Sequence, residues 1–506
     1  MGRKSREKRI RRLRKKSFKR NYLDPQPVKY PIQHRPARGV TTAERALARL
    51  GRSTFLSLWS YPNVVRDERQ PNGGVIAKEV ADLIVVFEDH VMIFSDKDCA
   101  FPSTGNLDVD WSRWYRNAIS KSASQIFGAE RWIRQHPERL FIDRRCTVSF
   151  PLTLPSSDRM KVHRIVVAHG VAEACRAKLG GNGTLAISPS ISGDEHCRRA
   201  AEGGQPFTVG QVNPAKGFVH IFDDASLPLV MNELDTVSDF VAYLSKREEL
   251  MTSGKLALAM GEEALLGWYV SKMNDEQQEH DFVVRDGVAL PVSVDESWWL
   301  KYQGSSARRR KLEADQISYG WDDMVERFTM HFMGGTADHL TDASPAAYER
   351  VLRFFARECR VRRRVLAKAL HEMLDTTPAH MRRLRIVPPM RMGDPYWVLL
   401  LVPFANEIPY RTYRDGRREF LAACCKVTKL IWPNALDIVG LCTESGRGTV
   451  GSEDAIFLDG RFWTREHDEE ARRLRKDLQI LTTPRMLRLT ESEFPPDPGD
   501  DIDIAS

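Results

Sequence analysis

Two short apolar runs separated by three polar residues constrain this chain more than any other feature. Leu83 to Phe87 is apolar and rich in β-branched residues. Glu88-Asp89-His90 is polar and turn-like, and Val91 to Phe94 is apolar again. Runs of this length, bounded by a polar turn, read as the two strands of a hairpin buried on both faces. Acids stand at both open ends: Glu79 and Asp82 at the start of the first strand, Asp96-Lys97 at the end of the second. Antiparallel pairing brings those ends side by side. The carboxylates of Asp82 and Asp96, joined by Glu79, are therefore expected to converge on one point. A hard cation such as Mg²⁺ or Mn²⁺ takes one or two carboxylates together with waters and substrate phosphate. Such an ion lowers the pKa of a bound water and stabilises the phosphoryl transition state. Lys97, a compact charge, is placed to orient water or to neutralise developing charge.

The next segment carries apolar residues at Trp111, Trp114, Tyr115, Ala118, Ile119, Ile126, Ala129 and Ile133. This three-and-four spacing predicts one face of a helix over 111–134, with Asp110 as its N-cap. Along the edge of that stripe, Lys121 and Gln125 point the same way, one turn apart. A strand is predicted at Val162 to Ala168, so the order is strand, strand, helix, strand.

In that order, with those residues, the chain resembles the PD-(D/E)XK nuclease superfamily, the fold of many restriction enzymes and DNA-repair nucleases. Asp82 matches the family's first acid, Lys97 its motif lysine and Gln125 the glutamine of the following helix. Glu79 corresponds to an additional upstream acid. One position departs from the pattern: Ser95 stands two residues before the lysine, where the family has its second acid, and Asp96 is adjacent to the lysine instead. Side chains alternate along a strand, so Asp96 faces away from Lys97 unless the strand ends or bulges there. The resemblance covers residues 40–250. It implies an α/β fold with a mixed central sheet flanked by helices. It also implies a Mg²⁺- or Mn²⁺-dependent endonuclease, a hydrolase acting on DNA in prokaryotic anti-phage defence or restriction. Asp82, Asp96 and Glu79 would hold the metal, Lys97 the water, and Gln125 and Lys121 the substrate. A homodimer or partner defence proteins would fit cleavage of both strands. Ser95 keeps open a second reading, a non-catalytic nucleic-acid-binding or scaffold protein on a degenerate nuclease fold.

Charge is unevenly placed. Residues 1–20 hold twelve Lys/Arg and one Glu, a net of +11 against +8 for the whole chain, so the remainder carries −3. The basic character thus belongs to an arm that includes Arg11, Arg12, Lys15 and Lys16. Such an arm is expected to be disordered alone and to bind phosphates in a salt-dependent, sequence-independent way. The chain has no apolar run of membrane-spanning length and no apolar core after its basic start, which argues against a membrane protein or a secretory signal. Its eight cysteines show no C-x-x-C or zinc-type spacing and read as free thiols of a cytoplasmic protein. No Walker loop or G-x-G-x-x-G motif is present.

The remaining organisation is read in outline. Residues 1–40 form the arm and a proline-rich linker, 41–252 the nuclease-like domain, and 253–385 a mainly helical middle region. A second α/β domain is expected over 386–490, and an acidic disordered tail over 491–506. Thr41 or Thr42 caps a helix through about Trp59. Residues 179–216, rich in Gly, Ser and Pro, read as a loop insertion. The aromatics Trp268, Trp298, Trp299 and Trp321 read as packing residues. Residues 346–374 read as one basic amphipathic helix whose Arg360, Arg362, Arg363 and Arg364 form a candidate DNA-backbone contact. Asp437, Glu444 and Asp454 of the last domain lack a lysine partner and read as structural.

Overall fold

A computed structural model describes residues 41–69, 75–274, 279–283, 290–334, 345–404, 407–445, 452–483, 485 and 491–496. The chain divides into two compact units. One comprises residues 41–322, 355–365 and 491–496, and the other residues 323–354 and 366–485. The basic arm, with Arg11, Arg12, Lys15 and Lys16, lies outside the described residues.

The first unit begins with helix α1 (Thr42–Trp59), opened by a capping box: the Glu44 N–H donates to Thr41 Oγ1 at 3.1 Å, and the Thr41 N–H to Glu44 Oε2 at 3.5 Å. The helix breaks at Leu56, whose φ is 62°, and passes straight into β1 (Ser60–Arg69). Then come β2 (Val75–Phe87) and β3 (His90–Lys97), joined at a turn where Glu88 has a φ of 53°. The hairpin is therefore as expected, but β2 is longer than its apolar run, and Asp82 lies well inside it. Helix α2 (Leu107–Trp114) continues through a π-helical turn (Tyr115–Ser120) into α3 (Lys121–Gln135). Its N-cap is Asn106, whose side chain accepts the Val109 N–H at 3.3 Å. Asp110 is instead buried in the first turn, accepting from the Thr104 N–H and hydroxyl.

Strands β4 (Leu140–Phe141), β5 (Lys161–Ala168), β6 (Ala186–Ser192), β7 (Thr208–Gln211) and β8 (His220–Asp223) follow. After them come α4 (Ser226–Glu233), α5 (Val237–Thr252), β9 (Leu256–Ala259) and β10 (Val292–Val294). Six strands form a mixed sheet in the order β4-β1-β2-β3-β5-β8. The pairs among β1, β2 and β3 are antiparallel, and β3, β5 and β8 run parallel. Helices cover both faces of its middle. Phe55 of α1 packs on Phe94 of β3 and on Phe240 of α5, while α3 lies against β2, β3 and β5. That double cover explains the unbroken apolar runs: Leu83, Ile84, Val85, Met92 and Ile93 are all fully buried. Residues 179–216 are not a plain loop. They supply β6 and β7 to a second sheet, ordered β10-β9-β6-β7. The Gly-rich composition hid these short strands, and Gly210 shows why glycine is there. A Cβ at that position would meet the backbone oxygens of Ile191 and Ser188 at 2.2 and 2.4 Å.

The expected single helix over 346–374 is two, α6 (Pro345–Arg357) and α7 (Arg360–Thr376), broken at Glu358-Cys359. Its arginine cluster is not a solvated face. Arg360, Arg362, Arg363 and Arg364 are between 0 and 4% exposed. Arg360 pairs with Asp235 and Asp322, Arg363 with Asp322, and Arg364 with Asp315 and Glu491. Charges so enclosed cannot meet a phosphate backbone. Trp268, Trp299 and Trp321 are buried core residues, at 3, 4 and 1% exposure. The start of the acidic tail is also packed, since Glu493 lies 3.3 Å from Lys311 Nζ and 3.7 Å from His280 Nε2.

The second unit carries β11 (Arg383–Val387), β12 (Tyr396–Val402), α8 (Tyr410–Ile431), β13 (Asp437–Glu444) and β14 (Asp454–Asp459). Its strands are ordered as in the chain, with β12 and β13 parallel and the outer pairs antiparallel. Val398, Leu400, Leu421, Cys425 and Ile438 form its core with α8 on one face. Asp437 pairs with Arg461, Glu444 accepts from the Tyr410 hydroxyl, and fully buried Asp454 takes Arg414 and Arg417. All three acids are thus structural. No helix among the described residues is long and apolar enough to cross a membrane.

The arginine cluster gives a direct test. Arg363 donates to Asp322, to the Glu358 carbonyl and to the Ala356 carbonyl. Arg363→Ala should lower unfolding stability by ~1–3 kcal/mol in a urea titration, because it takes the donor from two enclosed carbonyls and one of the two arginines from Asp322. A DNA-contact role would instead leave stability intact and flatten the salt dependence of DNA binding.

Candidate active site

The candidate site lies on the α3 face of the six-stranded sheet. A cavity of ≈ 450 Å³ is lined by residues of β2, β3 and α3, among them Glu79, Asp82, Ser95, Lys97, Ser124 and Gln125. Continuing the β2–β3 register one step past the Leu83–Phe94 pair sets Asp82 opposite Ser95. Opposed residues share a face, and so do residues two apart. Asp82, Ser95 and Lys97 therefore look toward α3.

Glu79 and Asp82 are three residues apart, which in a regular strand puts them on opposite faces. A β-bulge removes the conflict. Val64 pairs with Ala81 but Val65 pairs with Glu79, so Val80 is an extra residue in β2. The bulge shifts the phase by one, and the Glu79 and Asp82 carboxyl groups form a hydrogen bond to each other. Burial, helped by the charges of Glu79, Asp96 and Glu44, pushes Asp82 up to about 7, although the Asp96 N–H opposes this. Burial and the charge of Glu44 also raise Glu79, against the pull of Arg144 and of the bond to Asp82. Two carboxyl groups this close share a proton near neutrality unless a cation replaces it.

Asp96 does not join them through its carboxylate. Its backbone N–H donates to Asp82 Oδ2 at 2.6 Å, while its side chain, 2% exposed, meets His169 Nε2 at 2.5 Å. The alternation of β3 turns it to the far side, with Phe94. His169 follows β5 and is held by its own N–H on the Lys97 carbonyl at 3.0 Å. Burial pulls the His169 pKa down, but the hydrogen bond and charge of Asp96, with Asp224 and Asp98, outweigh it and leave it raised. The acid beside the lysine is thus a brace for the strand end, and its peptide, not its carboxylate, touches the site.

Lys97 and Gln125 both line the cavity and are exposed to it. Lys121 does not line it: its Nζ donates to Asn117 Oδ1 at 2.7 Å along the helix surface. Lys121 and Gln125 both follow the π-helical turn in one regular helix, so what separates them is the course of the Lys121 side chain and not the phase of the helix. Sequence reading missed Arg66 and Lys78, which line the cavity, and Arg144, whose charge reaches Glu79. Arg66 and Lys78 pair across β1 and β2, so only the strand pairing brings them to the acids.

The residues fit a hard divalent cation. Two hydrogen-bonded carboxyl groups, both with raised pKa, face a cavity with room for water and phosphate oxygens, and Mg²⁺ is commonly held by one or two carboxylates plus such groups. Comparisons of this chain with family models, with curated proteins and with solved structures give no match. What the site does must therefore be argued from its own groups.

Two predictions follow from this geometry. Asp82 has an unfolded-state pKa near 3.8 and a folded one of about 7, so the folded protein binds the extra proton between those values. Without metal, stability should fall as pH rises from about 4 to 7. Asp82→Asn should remove that loss. At pH 8 in EDTA it should be more stable than wild type by ~2–4 kcal/mol, the two converging near pH 4 in denaturant titrations. Second, Asp96→Asn keeps the N–H that Asp82 accepts. It should change Mn²⁺ affinity by less than about tenfold in calorimetry, whereas Asp82→Asn should lower it by more than about a hundredfold.

Proposed function

We propose that this protein is a Mg²⁺-dependent endonuclease that hydrolyses phosphodiester bonds in DNA, built on a PD-(D/E)XK-like core and acting in the cytoplasm in defence or restriction. The observation that carries this reading is the hydrogen-bonded Glu79–Asp82 carboxyl pair facing the same cavity as Lys97 and Gln125. The mixed sheet, with β3 parallel to β5 and α3 between them in sequence, supports it.

Glu79 and Asp82 would hold the ion. Bound there, Mg²⁺ supplies an activated water and neutralises phosphate charge. The Asp96 N–H fixes the Asp82 carboxylate, so that no reorientation is needed as charge develops. Lys97 orients the attacking water and offsets negative charge on the phosphate. Gln125, from the facing helix, donates to a phosphate oxygen or to the same water. Arg66 and Lys78 draw the nucleic-acid backbone to the cavity rim. Cutting both strands of a duplex calls for two such sites, and hence for a homodimer or a partner nuclease.

One observation favours a different reading, a nucleic-acid-binding protein with a degenerate site. Ser95 occupies the position of the family's second acid, and Asp96 is spent on His169. Plasmid cleavage separates the two. With Mg²⁺ or Mn²⁺, the wild type should nick or linearise supercoiled DNA, and Asp82→Ala and Lys97→Ala should each lose at least about a hundredfold in rate. Salt-sensitive DNA binding with no cleavage by the wild type would establish the binding-protein reading.

A further inference from the structure

The opposite face of the same sheet carries a feature that the acidic cavity does not use. His90 of β3, His163 of β5 and His220 of β8 lie on three adjacent strands. Met92 pairs with His163 and Ile165 with His220, so the three rings step diagonally across one face. His90 Nδ1 and His163 Nε2 are 2.8 Å apart with the rings stacked, and the His163 and His220 ring centres are 6.0 Å apart. Beyond them stands Glu248, on α5.

Two ring nitrogens here are enclosed and without a hydrogen-bond partner, His163 Nδ1 and His220 Nε2. Their residues are 5 and 0% exposed. An unsatisfied buried polar atom costs about 1–3 kcal/mol. Native folds rarely leave two beside each other without a purpose. Among the described residues, His163, His220 and Glu248 form a cluster whose three donor atoms lie within 4.8 Å of one another.

We propose that His163, His220 and Glu248 form a Zn²⁺ site that clamps β5, β8 and α5, independent of the acidic cavity and of any nuclease activity. Two imidazoles and one carboxylate are a common three-ligand set for Zn²⁺, with water in a fourth position. Tetrahedral Zn²⁺ with bonds of about 2.0–2.2 Å spaces its donors about 3.4 Å apart, so small side-chain adjustments close the cluster. Nitrogen donors also select Zn²⁺ over Mg²⁺, which prefers an all-oxygen shell. The two faces of the sheet would thus take different cations.

The surroundings prepare the site. His163 can donate its Nε2–H to His90 Nδ1, which leaves the Nδ1 lone pair directed at the cluster, as metal-binding histidines usually require. Burial, with the charges of His90, Arg164 and Lys161, lowers the His163 pKa to about 3. Burial, Arg247, His163 and Arg164 together lower that of His220. Both rings are therefore neutral; ligation through His220 Nε2 puts that ring's proton on Nδ1, so the Arg247 Nη1 facing it must turn away when the ion binds. Arg247 and Arg164 both act on His220; Arg247 Nη1 lies 3.5 Å from its Nδ1, and the Arg247 charge is met by Glu262 through bonds of 2.8 to 3.1 Å. Arg164 is likewise held by Glu130 at 2.6 Å.

The test uses the untagged full chain, stripped with chelator, then dialysed against Zn²⁺ and measured by elemental analysis and calorimetry. Co²⁺ serves as a spectroscopic stand-in for Zn²⁺. The proposal predicts one Zn²⁺ per chain, not displaced by millimolar Mg²⁺, and a visible Co²⁺ spectrum of low coordination number. Glu248→Gln alters a half-buried side chain and should fold as judged by circular dichroism, yet bind Zn²⁺ at least about tenfold more weakly. His220→Gln should abolish binding, and Asp82→Asn should retain it. A wild type that takes up no Zn²⁺ would overturn the site, leaving only a buried histidine ladder. Zn²⁺ uptake unchanged in Glu248→Gln would overturn it equally, even if His220→Gln does not fold.

Discussion

The structure of the candidate site depends on one electrostatic conflict: two carboxyl groups held within hydrogen-bonding reach at the foot of a partly buried cavity. The charge of Arg144 reaches Glu79, but burial is the largest influence on both Glu79 and Asp82. Such a pair is stable only with a shared proton or a bound cation. The protein sustains it through backbone, not charge. A β-bulge at Val80 brings Glu79 onto the face of Asp82, and the Asp96 peptide pins one Asp82 oxygen. Asp96 in turn is anchored by His169 at the end of the neighbouring parallel strand. The geometry of the pair is thus set by three strands at once.

The same alternation that builds the acidic cavity builds the other face. Residues of β3 that look away from α3 include His90, Phe94 and Asp96. They meet His163, Phe55 and His169 in turn. One sheet therefore presents an oxygen-rich pocket on one side and an imidazole-rich one on the other. The ligand chemistry of the two sides differs as hard and borderline cations differ.

Much of this was legible in the sequence where burial and periodicity speak directly. The β2–β3 hairpin, the strand at 161–168, the helix bearing Gln125 and the Thr41 cap all follow from apolar runs and capping residues. The α/β character of the domain expected over 386–490 does too. Phase was not legible. The bulge at Val80 and the π-helical turn at Tyr115–Ser120 each shift a register by about one residue. The bulge is what carries Glu79 to the site as expected, while Lys121, one turn before Gln125 in the same helix, is drawn back to Asn117. The alternation rule itself held at Ser95 and Asp96, where it sent the acid to the far face. Long-range pairing was equally invisible. Arg360 to Arg364 look like a basic surface until Asp235, Asp315 and Asp322 arrive from elsewhere in the chain to enclose them.

The central claim is that the Glu79–Asp82 pair holds either a proton or a divalent cation. Calorimetry of Mn²⁺ binding in buffers of different ionisation enthalpy counts the protons released on binding. At pH 6, where Asp82 is protonated, about one proton should leave per ion bound; at pH 8 the count should fall toward zero, and Asp82→Asn should show neither the binding nor the release. Absence of Mn²⁺ binding at millimolar concentration, or a proton count that does not change with pH, would contradict it.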